Sequence, residues 1–170
     1  IGAGGSINKT GGGSLILTGA STFTGGVALT AGSLIFGADS TPNTVGATVT
    51  AGPIGTGTLT ITDGAKILAG GATRTIANNI TANTQLISGV SAQNLTLNGV
   101  ITFGTANPTI TVENNFAGNG GITTTLGAAF AAGGGFNTFT KDGPGRLTIS
   151  AAANPNLTAA ITINDGWLET

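Results

Sequence analysis

The sequence predicts an all-β chain whose strands stack as a β-solenoid, and three observations carry that expectation. Helix formers are scarce: Met is absent, Lys, Glu, Arg and Gln are few, and Ala sits in short glycine-broken runs. Short alternating runs of Thr, Ile, Val and Leu are punctuated by Gly, Asn and Asp, the pattern of strands and turns. Finally, a glycine-rich segment near the start recurs near the end with its glycines and aliphatics in step, a sign of stacked repeats.

The recurrence fixes the element order. "KTGGGSLILTG" at Lys9–Gly19 returns as "KDGPGRLTISA" at Lys141–Ala151, pairing Lys9 with Lys141, Gly11 with Gly143, Gly13 with Gly145, Leu15 with Leu147 and Leu17 with Ile149. The match resumes between Phe23–Ile35 and Leu157–Glu169, where Val27 and Leu29 meet Ile161 and Ile163, and Gly32 meets Gly166. A partial copy of this second half lies at Leu59–Ala69, with Gly64 in the same role. The chain therefore reads as one solenoid segment over 1–170, with repeat copies at 9–37 and 141–170 and a partial copy at 59–69.

Each half-repeat reads as strand, tight turn, strand. In "SLILT" Leu15 and Leu17 share one face, the period of two expected of a strand. Thr58–Thr62, Asn94–Leu97 and Thr109–Val112 repeat the pattern. The triplets at 30–32, 62–64 and 164–166 supply corners in which glycine takes a positive φ. Further corners are expected at Asn78–Asn79, Asn98–Gly99, Asn114–Asn115 and Asn119–Gly120. Strands with so thin an apolar stripe bury nothing alone, but they do when successive turns of the chain stack. At ~20–25 residues per rung, 170 residues give about seven to eight rungs. A β-sandwich is the rival fold, against which the long-range repeat and the low aromatic content weigh.

Composition excludes several function classes. Glycine is abundant at thirty-one residues, but it follows no three-residue period and prolines number five, so the chain is not collagenous. A 39% hydrophobic content with a formal charge of -1 is not that of a disordered segment. Without Cys or His there is no disulfide framework, thiol catalysis or ordinary structural zinc site. Five scattered basic residues make no nucleic-acid footprint. The bland stretch Leu126–Phe136 is too short to enter a bilayer as a spanning element. With neither Met nor a signal-like segment at Ile1, the chain reads as a mature or excised piece whose targeting signals lie elsewhere.

The run "KTGGGSLILTGASTFTGGVALTAGSLIFG" resembles the autotransporter-associated β-strand repeat, also called the passenger-associated transport repeat. Lys9, Gly11, Gly13, Leu15, Leu17, Gly19, Phe23, Thr24, Gly25, Gly26, Ala31, Gly32 and Leu34 occupy the family's motif positions. In the second copy Ala151, Ala159 and Ala160 replace glycines, and Asn154-Pro155-Asn156 lengthens the middle. The resemblance implies a right-handed parallel β-helix from a secreted or surface-displayed bacterial passenger, exported through a C-terminal barrel.

No reaction is expected. A polysaccharide-cleaving solenoid needs clustered carboxylates, whereas Asp63, Asp142 and Asp165 each precede a glycine and are explained as turn residues. Lys9 and Lys141 read as solvated edge charges that discourage sheet-to-sheet aggregation. The threonine pairs 58/60/62, 73/75, 109/111 and 123/125 are spaced too irregularly for an ordered ice- or glycan-binding array, and read as solvent-facing strand residues. Among the large side chains Trp167, Phe116, Phe130, Phe136 and Phe139, on which a sugar could stack, Trp167 at the last strand reads as core or end packing.

Catalytic, cofactor and metal residues are thus expected to be none. The positions that matter are the rung-setting Gly11, Gly13, Leu15, Leu17, Gly32, Gly64, Gly143, Gly145, Leu147, Ile149 and Gly166. The favoured function is an extracellular or cell-surface stalk or scaffold of an adhesin-like passenger. Its partners would be adjoining solenoid segments, head-to-tail copies of itself, or cell-surface glycans. The alternatives are a self-assembling fibre or surface-layer subunit, since neither end carries a polar cap, and a glycan-binding module.

Overall fold

A computed structural model describes residues 1–114, 121–132, 135, 137–150 and 160–170. The chain coils, and each turn lays one strand on each of up to three parallel sheets. The first turn contains β1 (Ile7–Lys9) and β2 (Ser14–Leu17), and the second β3 (Val27–Leu29) and β4 (Ser33–Phe36). The third has β5 (Leu59–Ile61), β6 (Lys66–Ala69) and β7 (Arg74–Ile76), and the fourth β8 (Ile80–Ala82), β9 (Gln85–Ser88) and β10 (Leu95–Leu97). The fifth has β11 (Ile101–Phe103), β12 (Thr109–Val112) and β13 (Thr123–Leu126), and the sixth β14 (Phe130–Ala132), β15 (Thr138–Asp142) and β16 (Arg146–Ile149). β17 (Ala160–Ile163) and β18 (Trp167–Glu169) lie on top.

The first sheet runs β1-β3-β5-β8-β11-β14, the second β2-β4-β6-β9-β12-β15-β17 and the third β7-β10-β13-β16-β18. Every pairing between these strands is parallel. The β-solenoid expectation holds and the sandwich, which requires antiparallel sheets, does not.

The period-2 pattern does what stacking requires. In β4 and β6, Leu34, Phe36, Ile67 and Ala69 point inward while the residues between them face out. Columns of inward residues follow the axis: Leu15 pairs with Leu34 and Leu34 with Ile67, and Val27 pairs with Leu59 and Leu59 with Ile80. Phe23, Phe36, Phe103, Phe130 and Phe139 fill the interior, with the rings of Phe130 and Phe139 5.4 Å apart. Phe116 and Phe136 lie outside the described residues.

The stack has about six turns rather than seven to eight. Residues 37–58 leave the coil between β4 and β5, closed on themselves by the antiparallel bridge Thr41–Ala51 and held to the coil by the bridge Ser21–Gly52 and by the buried Ile54. Dividing the length by a uniform rung counts these residues as turns.

The two repeat copies also occupy different faces. The first spans sheets one and two through β1 and β2, whereas the second spans sheets two and three through β15 and β16. The partial copy is β5–corner–β6, and it lies directly on β3–corner–β4. Asn78–Asn79 and Asn98–Gly99 turn the chain from the third sheet back to the first, as expected. Asn115, Asn119–Gly120 and the lengthened middle of the second copy at 154–156 lie outside the described residues.

Candidate functional site

The chemistry of this chain is concentrated where the two lysine-led corners meet the turn above. Lys9 Nζ donates to the carbonyls of Thr10 (3.0 Å), Gly11 (2.7 Å) and, one turn up, Ala31 (3.1 Å). Lys141 Nζ repeats this with Asp142 (2.7 Å), Gly143 (2.6 Å) and, one turn up, Asp165 (3.0 Å). An ammonium has three donors and no acceptor, and each lysine spends all three on carbonyls that the tight corner turns toward it. The two cages match atom for atom on different faces of the stack.

The solvated-edge reading of the two lysines is therefore overturned. Lys141 is fully buried and Lys9 is half-buried beneath its corner. Each occupies an inward register position, Lys9 beside Leu29 and Lys141 beside Ile110 and Ile163. Burial pushes the Lys141 ammonium below the usual lysine range, and the charges of Asp165 and Asp142 pull it partly back. The sequence held a signal for this: both lysines lie at odd-numbered register with apolar residues, two after Ile7 and Phe139, which a solvent-facing charge would not.

Glycine makes the cage possible. Gly32 and Gly166 have φ near +75°, and a Cβ on Gly32 would collide with the carbonyls of Gly13 and Gly11, as one on Gly166 would with those of Gly143 and Gly145. The corner of one turn thus sits backbone to backbone on the corner below, which brings the Ala31 and Asp165 carbonyls within reach of the lysines.

The carboxylates take part in hydrogen bonds and ion pairs at the corners and faces of the stack. Asp63 lies at the corner between β5 and β6, where it accepts hydrogen bonds from the Thr84 hydroxyl (2.7 Å), Thr84 N–H (2.9 Å), Gln85 N–H (3.1 Å) and Asn83 Nδ2 (3.1 Å) of the turn above. Slight burial raises its carboxyl, but the Thr84, Gln85 and Asn83 bonds outweigh this and hold it below the ordinary value. Asp165 lies on the other side, between β17 and β18, and caps Gly166 N–H at 2.7 Å. Glu113 binds Lys66 at 2.6 Å, and Glu169 pairs with Arg146 and accepts from Thr148. The Arg146 and Thr148 bonds hold the Glu169 carboxyl below its usual range. Among the described residues no three His, Cys, Asp or Glu side chains are grouped to hold a metal.

Two surface features differ from the sequence reading. The threonines form ordered columns: Thr60, Thr81 and Thr102 stack on the first sheet, and Thr75, Thr96, Thr125 and Thr148 on the third. Parallel pairing sets neighbours about 4.8 Å apart. Corners of unequal length make the spacing irregular in sequence although the ladder is regular in space. Trp167, expected in core or end packing, is 61% exposed on the outer face of β18.

A concavity of about 350 Å3 lies between residues 37–58 and the third-to-first corners. Val49, Thr56, Asn79, Asn98 and Val100 are among its lining. The buried pair Ser40–Asn78 (2.7 Å) anchors its wall, Asn78 Nδ2 donating to the Gly55 and Gly57 carbonyls and Ser40 accepting from Ala77 N–H.

Comparison with known proteins gives one finding of kinship. Residues 7–36 and 139–169 match the passenger-associated-transport-repeat family, the two segments that carry the lysine cages. No curated protein and no solved structure matches the chain.

Proposed function

Because the chain carries two passenger-associated transport repeats on a parallel β-solenoid, we propose that it is a structural segment of an exported passenger: a stalk or scaffold that holds a surface-displayed adhesin-like protein away from the cell. The observation that supports this most is the repeated lysine cage. A side chain that ties the backbone of one turn to the next, twice and in the same way, serves the continuity of the stack rather than a ligand. Stability in such a stack is a sum of neighbouring-turn interfaces, so the rod can form turn by turn as it emerges from an export channel. On this reading the chain performs no reaction, and the residues that matter are Lys9 and Lys141 with Gly32 and Gly166. Its place is the extracellular or bacterial cell surface.

The test is export. The chain is placed between an export signal and a C-terminal translocating barrel. It is expected to reach the cell surface and become resistant to added protease, with Gly166→Val reaching the surface but remaining cleavable. Retention in the periplasm, or full protease sensitivity of the wild-type chain at the surface, would overturn the proposal.

A further inference from the structure

In the third to fifth turns the outer face of the first sheet is built like a binding surface. The outward residues of β8 and its two ends are Asn79, Thr81 and Asn83, all exposed, with Thr60 of β5 below Thr81 and Thr102 of β11 above it. Two concavities flank this row. The one of about 350 Å3 beside residues 37–58 reaches Asn79 and Val100, and the lining of a second, of about 290 Å3, includes Thr62, Thr81, Asn83 and Gly104. Together they make one surface across three turns, about 13 Å wide from Asn79 to Asn83. An excursion as long as 37–58 is uncommon between strands and is usually functional where it occurs.

The polar groups of the row are fixed in direction. Asn79 Oδ1 accepts from Val100 N–H at 3.1 Å, so the Asn79 amide has its Nδ2 donors to offer. Asn83 Nδ2 donates to Asp63 at 3.1 Å, so the Asn83 amide has its Oδ1 acceptor to offer. Neither of these free halves, nor the hydroxyl of Thr60, Thr81 or Thr102, has a partner among the described residues. Gly104 leaves Asn83 Oδ1 open: it has no positive φ that would require glycine, and a Cβ there would stand 3.0 Å from that oxygen. The row reads donor, hydroxyl, acceptor on a strand paired on both sides, so a ligand meets it with little left to order.

We propose that this face binds a neutral polysaccharide, laid across β8 from one concavity to the other, with its hydroxyls bonded to Asn79 Nδ2, Thr81 and Asn83 Oδ1. The chemistry selects that occupant. Neither lining holds a charged side chain, so phosphates, nucleic acids and acidic glycans find no cation to pair with. Asp63, bonded to Asn83, repels an acidic chain further. An extended peptide docks by pairing with a strand edge, and β8 has no free edge. Val100 is the one large apolar side chain exposed in either lining, too little for a lipid or a second copy of the chain. A sugar ring, by contrast, offers donors and acceptors around its rim and C–H faces that rest on threonine methyls and Val100. The inference adds a ligand to the rod and holds whether or not the rod is displayed as a stalk.

The test is affinity electrophoresis of the purified chain in gels cast with neutral polysaccharides (a β-glucan, a mannan, starch) or with acidic ones (alginate, heparin). Retardation by at least one neutral polysaccharide and by neither acidic one is expected. Thr81→Val keeps the shape and strand propensity of the side chain, and Asn79→Asp keeps the acceptor for Val100 N–H. Both are therefore expected to retain the wild-type circular dichroism. Each is expected to weaken binding about three- to tenfold, the loss of one hydrogen bond. Thr96→Val, the same change in the third-sheet column, is expected to bind as the wild type does. A wild-type chain that passes unretarded through every neutral gel, equal retardation by alginate, or unchanged binding by both row variants would overturn the proposal. So would an equal loss in Thr96→Val. The export assay reads display and not binding, so failure of the stalk reading and failure of this one are distinguishable.

Discussion

Replacing Lys141 with methionine isolates what the carbonyl cage contributes. Methionine keeps the unbranched apolar stem of the side chain, ending one atom short of the ammonium, and leaves the carbonyls of Asp142, Gly143 and Asp165 without their donor. Two effects oppose each other. A buried ammonium carries a desolvation cost of several kcal/mol that methionine does not, and buried charges have been replaced by apolar residues without loss in other folds. Against that, an orphaned buried acceptor costs about 1–3 kcal/mol, and three carbonyls converge on this one donor. The tight corner, held by Gly143 at φ 75° and Gly166 at φ 75°, cannot turn those carbonyls elsewhere.

The acceptors should win, giving a net loss of about 2–4 kcal/mol, between one orphaned acceptor and a fully broken buried pair. With a urea slope of about 2 kcal/mol per molar, the unfolding midpoint falls by about 1–2 M. Lys9→Met is the internal control. Its cage lies in the first turn with two of its three bonds exposed, so the loss there should be about 1 kcal/mol or less. Hydrogen exchange gives a second readout. The Asp165 bond ties the last turn to the one below, so amides of β17 and β18 should lose protection before those of β8 to β13. A Lys141→Met chain as stable as wild type, or more stable, would refute the cage as a source of stability. Equal losses from the two lysines would refute the role given to burial.

Gly32→Ala forces a Cβ into the Gly13 and Gly11 carbonyls at a positive φ, and should cost about 2 kcal/mol or more in urea unfolding; Gly64→Ala, also at positive φ but with no atom near its would-be Cβ, should cost about 1 kcal/mol from backbone strain alone. Asp63 has a carboxyl held below its ordinary value of 3.8, so it binds fewer protons folded than unfolded. Its stabilisation is complete above that value and is lost as pH falls through the lower, folded one. Acid titrations of thermal stability should therefore be shallower in Asp63→Ala than in wild type between about pH 4 and pH 2, and identical slopes would remove the four hydrogen bonds as its cause. Ser40→Ala orphans the Ala77 N–H and the Asn78 side-chain carbonyl in the wall of the concavity beside residues 37–58. It should cost about 1–3 kcal/mol, with the exchange of residues 37–58 rising most.

Much of this molecule was legible before folding. Inward Leu15, Leu17, Leu147 and Ile149, the glycines at 32, 64 and 166 and the parallel stack all follow from local rules: side-chain alternation, positive φ and the inability of thin strands to bury themselves alone. Those rules act within a few residues, so a sequence displays them directly. Three things were not legible. The carbonyl cages of Lys9 and Lys141 were not, although both lysines share the alternation of Ile7 and Phe139, because carbonyls from two turns converge on a point no linear spacing marks. Threonines at irregular intervals fell into regular columns because corners of unequal length are absorbed outside the sheets. Residues 37–58 left the coil and lowered the number of turns, since a bridge such as Ser21–Gly52 and a buried pair such as Ser40–Asn78 form only when distant segments meet. The sequence alone determined what each strand does with its two faces; tertiary structure decided which strands become neighbours, because stacking register depends on the accumulated length of every corner between them.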